Sequence, residues 1–202
     1  MFKVVPFKTG DVKDVKGADL LEVWFDQIPD ADVSKTLKIL QKIKKPFIYK
    51  VEQKGLEEFK KDVIKNAAYL DLDVETTPHK MKHIRRVNTN AKIIISFHDY
   101  KKTPDTKDLK KILKQMQSKG ADITKFATHA KGVQDSIKML DFLSELREKG
   151  QKAICLCMGK DGILTRTTGH LFGNYCSYFA LDEKSKTAPG QITLKEFDNS
   201  TT

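Results

Sequence analysis

The chain has 202 residues, which is enough to bury a sizeable apolar core in one domain. Lys and Arg number 37 against 27 Asp and Glu, so the formal net charge is +10 and a polyanionic partner stays open. The lysines are spread along helical segments and are not grouped with aromatic residues or glycines, which does not favour a nucleic-acid-binding module. A lysine-rich solvated surface is the simpler interpretation.

The cysteine spacing and the N-terminal sequence indicate the cellular compartment of the protein. Cys155, Cys157 and Cys176 fit neither an even-numbered disulfide framework nor a zinc-ligand spacing, and the histidines show no ligand pattern. We therefore expect reduced thiols, no metal and no cofactor. The N-terminal residues 1–5 lack the long apolar core of a signal peptide, and no apolar run approaches membrane-spanning length. The sequence predicts a cytoplasmic protein without a membrane partner.

Short runs rich in β-branched or aromatic residues recur along the chain and predict eight strands. These strands cover residues 2–6, 20–25, 46–51, 69–74, 92–98, 123–128, 152–158 and 175–181.

Stretches with apolar residues three and four apart separate the strands and predict helices. The helices cover residues 33–44, 56–66, 79–87, 105–119, 133–149, 161–172 and 193–197. The first connection, residues 9–17, has too little apolar content for a full helix, and the last helix is cut short.

Alternation of strand and helix predicts a parallel sheet, because parallel strands need crossover connections of about this length. Eight such units predict a compact (β/α)8 TIM-type barrel as a single domain over residues 1–202, with reduced first and last helices. An open doubly wound sheet is the alternative. Against it, no Gly-x-Gly-x-x-Gly turn follows the first strand and no Walker-type loop is present.

The C-terminal ends of the predicted strands carry ionisable residues, and active residues of such barrels lie at these ends. Charged groups within apolar runs are costly to bury unless they face a shared polar site. His98 can move protons near neutral pH, and the amine of Lys125 in a dry pocket can attack a carbonyl. The other strand-end positions are Glu22, Glu52 or Lys50, Asp73 and Met158.

Four motifs resemble those of the type I 3-dehydroquinate dehydratases, lyases of the shikimate pathway of aromatic amino acid biosynthesis. Their order and spacing agree with that family over residues 20–197. The motifs are SFHDYKKTP at 96–104, DITKFAT at 122–128, MGK at 158–160 followed by Arg166, and APGQI at 188–192.

The resemblance implies a (β/α)8 barrel that dehydrates 3-dehydroquinate to 3-dehydroshikimate through a Schiff base on Lys125. His98 would take a proton from the carbon beside the imine and return one to the departing hydroxyl, and Asp73 would orient its imidazole. A free lysine has a pKa of about 10.4, so nucleophilic attack would require that the pKa of Lys125 be lowered by burial or by a nearby cation.

The resemblance also implies substrate contacts: a carboxylate clamp, hydroxyl contacts, a closing loop and apolar walls. These map onto Arg166, Glu22, Gln191 with Thr187, and Met158 with Phe172. Besides Thr187, which keeps a hydroxyl where the family has serine, three positions depart from the family pattern. Asp73 stands where the family usually has glutamate, and Trp24 and Glu52 stand where it has arginine, with Lys50 as a replacement cation.

Each lost charged hydrogen bond would cost about 1.5–3 kcal/mol. These departures keep open a second hypothesis, a catalytically impaired dehydratase-like protein with a binding or scaffolding role, which the net charge of +10 would allow on an RNA or ribosome surface. A third hypothesis keeps the imine chemistry on another substrate, as in an aldolase, but the loop at 188–191 argues against it. The resemblance leaves a homodimer open.

Overall fold

Eight parallel strands form a nearly closed barrel in a computed structural model that describes residues 1–7, 15–51 and 60–201. Neighbouring strands follow the order β7-β6-β5-β4-β3-β2-β1-β8, and the Tyr175 amide donates to the Ala153 carbonyl at 2.8 Å across the β7–β8 seam. The strands are β1 (Phe2–Phe7), β2 (Leu20–Val23), β3 (Phe47–Lys50), β4 (Tyr69–Asp73), β5 (Lys92–Asp99), β6 (Ile123–His129), β7 (Ala153–Met158) and β8 (Cys176–Tyr178).

The helices of the described ranges cover the outside of the barrel, which confirms the predicted (β/α)8 fold. Residues 8–14 and 52–59 fall outside these ranges. The predictions for most of the 9–17 connection and for the first turn of the 56–66 helix therefore also concern residues outside the described ranges. The helices are α1 (Asp30–Ile43), α2 (Lys61–Asn66), α3 (Pro78–Val87), α4 (Thr106–Ser118), α5 (Val133–Glu148), α6 (Ile163–Thr168) and α7 (Leu194–Thr201). None of them is long and apolar enough to cross a bilayer.

Strand β2 ends two residues earlier than predicted. Phe25 opens a short 3-10 turn, and its fully buried ring packs against the rings of Phe47 and Tyr49 at centroid distances of 5.8 and 5.7 Å. The aromatic residue that prolonged the apolar run therefore belongs to the core between strands and helices, where burial of a large ring is favourable.

The barrel interior has an apolar layer beneath a charged one. Val4, Leu20, Ile48, Ile94 and Ile154 belong to one buried cluster inside the barrel. Because strand side chains alternate between the two faces of a sheet, residues two positions further along a strand also point inward. On β2 to β6 these residues are Glu22, Lys50, Asp71, Ser96 and Lys125.

Asn88 connects the end of α2 to the start of β5. Its side-chain amide donates to the carbonyls of Ile64 at 2.7 Å and Ala67 at 3.2 Å. Its side-chain oxygen accepts the backbone amides of Asn90 and Ala91, each at 3.0 Å. One side chain thus binds backbone carbonyls at the C-terminal end of α2 and backbone amides in the turn before β5. Without Asn88, these backbone groups would need other partners.

We expect Asn88→Ala to lower the free energy of unfolding by about 2 kcal/mol, because several hydrogen bonds, each with a net value near 1 kcal/mol, are lost together. Urea denaturation measures the change. Thr89→Ala, at an exposed neighbouring position, is the matched control and should lie within about 0.5 kcal/mol of the wild type. Equal urea midpoints for the two variants would contradict the role of Asn88.

Candidate active site

Four charged side chains from four strands meet inside the barrel. Glu22, Lys50, Asp71 and Lys125 are each at most 8% exposed. The Lys125 Nζ lies 2.8 Å from Asp71 Oδ2 and 3.5 Å from Glu22 Oε1, and the Lys50 Nζ lies 2.9 Å from Asp71 Oδ1. Two cations face two anions, which is the arrangement under which buried charges are tolerated. We call these four residues the buried quartet.

Strand register brings the quartet together. Lys50 and Asp71 are Cα partners in the β3–β4 pair, and Ser96 and Lys125 are partners in the β5–β6 pair. The Ser96 hydroxyl accepts from the Lys50 Nζ at 2.9 Å and donates to the Leu72 carbonyl at 3.3 Å. Lys50 therefore has two fixed partners, and its ammonium is directed at Asp71.

Asp71 controls the protonation state of Lys125. Burial raises the pKa of the Asp71 carboxyl, but Lys125 and Lys50 outweigh burial and hold that pKa well below its ordinary value. Burial likewise lowers the pKa of the Lys125 ammonium, but Asp71 and Glu22 outweigh it and raise that pKa above its ordinary value. The expectation of a lowered lysine pKa was wrong for this state, because it did not include a carboxylate at 2.8 Å.

His98 lies at the mouth of the same cavity, near the end of β5. Its ring is half-buried and stacks on Tyr100 with a centroid distance of 6.1 Å. Burial, followed by the charges of Lys50 and Lys125, lowers the pKa of His98 to about 3. At neutral pH the imidazole is therefore uncharged.

Asp73 does not take the position expected for the carboxylate that orients His98. Its Oδ1 accepts the backbone amide of Glu75 at 2.8 Å, and no hydrogen bond joins it to the imidazole in the part of the chain that the structure describes. Asp73 is the last residue of β4, where a short carboxylate readily binds the backbone of the following turn. Asp71, two residues deeper on the same strand face, is the β4 carboxylate inside the site.

Sequence reasoning missed Asp71, although a signal was present. In Leu70-Asp71-Leu72-Asp73 two carboxylates lie on one face of a buried strand, and an aspartate within an apolar run requires a cationic partner. Lys50 on the neighbouring strand β3 and Lys125 on β6, two strands away, were available as such partners.

Arg166 supplies a third cation to the cavity, from α6. It is 3% exposed, and its Nη1 donates to the Tyr178 carbonyl at 3.4 Å, while its Nε has no hydrogen-bond partner among the described residues. Burial lowers the pKa of Arg166 to about 10, so the guanidinium stays charged at neutral pH. No carboxylate of residues 1–7, 15–51 or 60–201 pairs with it, which leaves the charge available to an anionic ligand.

The loop at 187–191 covers one side of the cavity. Gln191 is buried, and its side-chain oxygen accepts the Thr187 amide at 2.7 Å and the Thr187 hydroxyl at 3.0 Å. The Gly159 amide donates to the Pro189 carbonyl at 3.0 Å. Gly190 has φ +73, and a Cβ there would lie 2.2 Å from the Gly159 carbonyl oxygen, so this close approach requires glycine.

The remaining predicted positions divide into two groups. Met158 lines the cavity together with Leu156 and Tyr178, and Trp24 donates from its Nε1 to Glu22 Oε2 at 3.1 Å. Phe172 does not line the cavity and packs in the layer between strands and helices. It precedes β8, at the opposite end of the barrel from the strand C-termini, which corrects the expectation of an apolar wall. Glu52 lies outside the described residues.

Together the cavity offers a buried amine with a counterion, a neutral imidazole and an unpaired guanidinium. Among the residues that the structure describes, no cluster of three or more His, Cys, Asp or Glu side chains is arranged to hold a metal ion. The arrangement suits nucleophilic and acid–base chemistry on an anionic carbonyl compound.

A known protein family and several known proteins are similar to this chain. The model of a family described as type I 3-dehydroquinase matches residues 8–201. The chain is 30% identical over 192 residues to a 3-dehydroquinate dehydratase of Methanococcus maripaludis, covering 94% of this chain and 86% of that protein. It is 31% identical over 194 residues to the chloroplastic bifunctional 3-dehydroquinate dehydratase/shikimate dehydrogenase of Arabidopsis thaliana, covering 89% of this chain but only 32% of that protein.

A solved structure of the 3-dehydroquinate dehydratase from Aquifex aeolicus is similar to this chain with a TM-score of 0.83. The comparison covers 98% of this chain and 96% of that one at 23% identity. At this level of identity the similarity supports the fold.

We expect acid to destabilise the protein through His98. The folded pKa is about 3 and the unfolded value about 6.5, so between these values the unfolded chain binds a proton that the folded chain does not, and stability falls as the pH falls. From pH 6.5 to 4.5 the wild type should lose about 2 kcal/mol more than His98→Gln, measured by urea denaturation.

His79→Gln, at an exposed position on α3, is the control and should keep the wild-type pH dependence. If His98→Gln loses as much stability as the wild type over this range, the imidazole is not held neutral by the site.

Proposed function

The chain belongs to the type I 3-dehydroquinase family, and on that premise we propose that it dehydrates 3-dehydroquinate to 3-dehydroshikimate through an imine on Lys125. The observation that carries this proposal is the buried Lys125 amine, 2.8 Å from a fully buried carboxylate and in one cavity with a neutral imidazole. The product continues along the shikimate pathway toward aromatic amino acids.

The Lys125–Asp71 pair suits imine formation because the charge on nitrogen is the same before and after it. An ammonium and a ketone condense to an iminium and water, so one positive charge persists on Nζ. Asp71 can pair with both cations. Only the neutral amine that attacks the carbonyl lacks this charge, and it forms when the proton moves briefly to a nearby base, for which Glu22 at 3.5 Å is positioned.

His98 completes the dehydration. The iminium withdraws electrons and acidifies the neighbouring carbon, and the neutral imidazole takes that proton as the electron pair moves to nitrogen and gives an enamine. The enamine then expels the hydroxyl group on the next carbon, which leaves as water with the proton from His98. Hydrolysis of the new iminium releases the unsaturated ketone and restores the Lys125 ammonium.

Substrate binding is proposed for the remaining polar groups of the cavity. Arg166, without a carboxylate partner among the described residues, would bind the substrate carboxylate. Glu22 and Gln191 would contact hydroxyl groups. Lys50 would not replace a lost arginine at the substrate, because its ammonium is bound to Asp71 and Ser96; we propose instead that it is a second counterion of Asp71.

The buried quartet favours this function over the scaffolding hypothesis. A buried ion pair is often no more stabilising than apolar side chains of similar volume, so a barrel that serves only as a scaffold has no need for four interior charges. Their presence with mutual distances of 2.8–3.5 Å supports a chemical role.

Borohydride reduction tests the imine. With 3-dehydroquinate present, the wild type should gain a covalent adduct on Lys125, located by peptide mass spectrometry, because the iminium is reduced to a stable secondary amine. Lys125→Ala should form no adduct, whereas Lys107→Ala, at an exposed position on α4, should behave as the wild type. Absence of an adduct together with no rise in enone absorbance would exclude the proposed activity.

Two aspartate variants test which carboxylate serves the site. Asp71→Asn keeps the shape of the side chain but removes the charge that pairs with Lys125, so kcat should fall by about 10²-fold or more. Asp73→Asn changes a turn residue and should lower kcat by less than about 10-fold. Circular dichroism checks that both variants fold. A larger loss for Asp73→Asn would instead restore the role expected from its sequence position.

A further inference from the structure

Trp24 lies at the mouth of the cavity, two residues beyond Glu22. Side chains two positions apart on a strand share a face, so the residue that follows β2 continues the inward-pointing row of Glu22, and both side chains line the cavity. The Trp24 carbonyl accepts the Gln27 amide at 3.0 Å, and the next residue, Phe25, is fully buried. The backbone that carries the indole is therefore anchored in the core.

The Glu22 carboxylate is not held in place by Lys125. Its Oε1 lies 3.5 Å from the Lys125 Nζ, whereas Asp71 accepts from the same ammonium at 2.8 Å. Good N–H···O hydrogen bonds are roughly 2.7–3.2 Å long, so the longer contact orients Glu22 only weakly. Among the side-chain hydrogen bonds of the described residues, the one that reaches Glu22 comes from the Trp24 Nε1, at 3.1 Å to Oε2.

The two oxygens of Glu22 thus have different partners. Oε2 accepts from the indole and Oε1 faces the Lys125 Nζ. An indole N–H is a donor without charge, so it orients the carboxylate without neutralising it. The buried quartet keeps two cations and two anions. Because proton transfer requires a well-placed acceptor, a carboxylate free to turn away from Lys125 would be a poorer base.

We propose that Trp24 is a positioning residue for imine formation: its N–H holds Glu22 so that the other carboxylate oxygen receives the proton that Lys125 releases before it attacks the ketone. The carboxylate becomes a neutral carboxyl as the ammonium becomes an amine. The amine adds to the carbonyl carbon, and Glu22 returns the proton to the resulting hydroxyl group, which leaves as water while the iminium forms. This inference rests on the proposed function.

Trp24→Phe removes the N–H and keeps an aromatic side chain at the mouth of the cavity. Single turnovers with 3-dehydroquinate, quenched with borohydride at successive times and followed by mass spectrometry, give the rate of imine formation. This rate should fall about 10-fold, the loss expected for one hydrogen bond to a charged acceptor. Circular dichroism and thermal melting check that the variant folds.

A double-mutant cycle separates positioning of Glu22 from a role of the indole as an apolar wall. Glu22→Gln lacks the proton acceptor, so adding Trp24→Phe to it should slow imine formation by less than about twofold further. An apolar wall would give the same factor in both backgrounds. That result overturns the inference, as does an unchanged rate in Trp24→Phe alone.

Tyr175→Phe is the matched control, because it also removes one hydrogen-bonding group from an aromatic side chain. The Tyr175 hydroxyl lies 2.8 Å from the Tyr69 hydroxyl at the opposite end of the barrel, so the rate of imine formation should stay at the wild-type value. If the wild type forms the imine and Trp24→Phe forms it equally fast, only this inference fails. A wild type that forms no imine overturns the proposed function together with this inference.

Discussion

The site depends on one carboxylate shared by two ammonium groups. Asp71 is fully buried and accepts from Lys50 at 2.9 Å and from Lys125 at 2.8 Å. Without it, two interior cations would repel each other in a poorly solvated space. With it, Lys125 is a stable cation. Burial, together with the charges of both lysines, keeps the nearby imidazole neutral. One buried carboxylate thus sets the protonation state of Lys125.

This arrangement differs from the usual picture of an activated lysine. An amine with a lowered pKa is nucleophilic at rest. Here the carboxylate stabilises positive charge on the Lys125 nitrogen. Under the proposed mechanism it would also stabilise the iminium, which acts as an electron sink, and it would disfavour the short-lived neutral amine. The network of Lys50 and Ser96 fixes the direction of the carboxylate in both states.

Sequence reasoning reached the fold, because alternation of β-branched runs and helical periods is a local signal that the barrel does not override. It also predicted a shared site for Lys125 and His98, and both line one cavity. It failed where distances between strands decide the chemistry. The choice between Asp71 and Asp73, two residues apart on one face, depends on depth in the barrel, and the place of Phe172 depends on which end its turn occupies. Neither quantity is local in the sequence.

The seam between β7 and β8 makes one side of the barrel wall different from the other in its hydrogen bonding between strands. Lys50, Asp71, His98 and Lys125 lie on the arc from β3 to β6, where consecutive strands are bonded in continuous ladders. Met158, Arg166, Tyr178 and the 187–191 loop flank the seam, where the Tyr175 amide bonds to the Ala153 carbonyl. A small sliding of β8 relative to β7 would change the shape of the cavity on that side. It would not move Lys125, Asp71 and His98 relative to one another. Breadth of substrate choice could then evolve on one side of the barrel while the other side stays rigid.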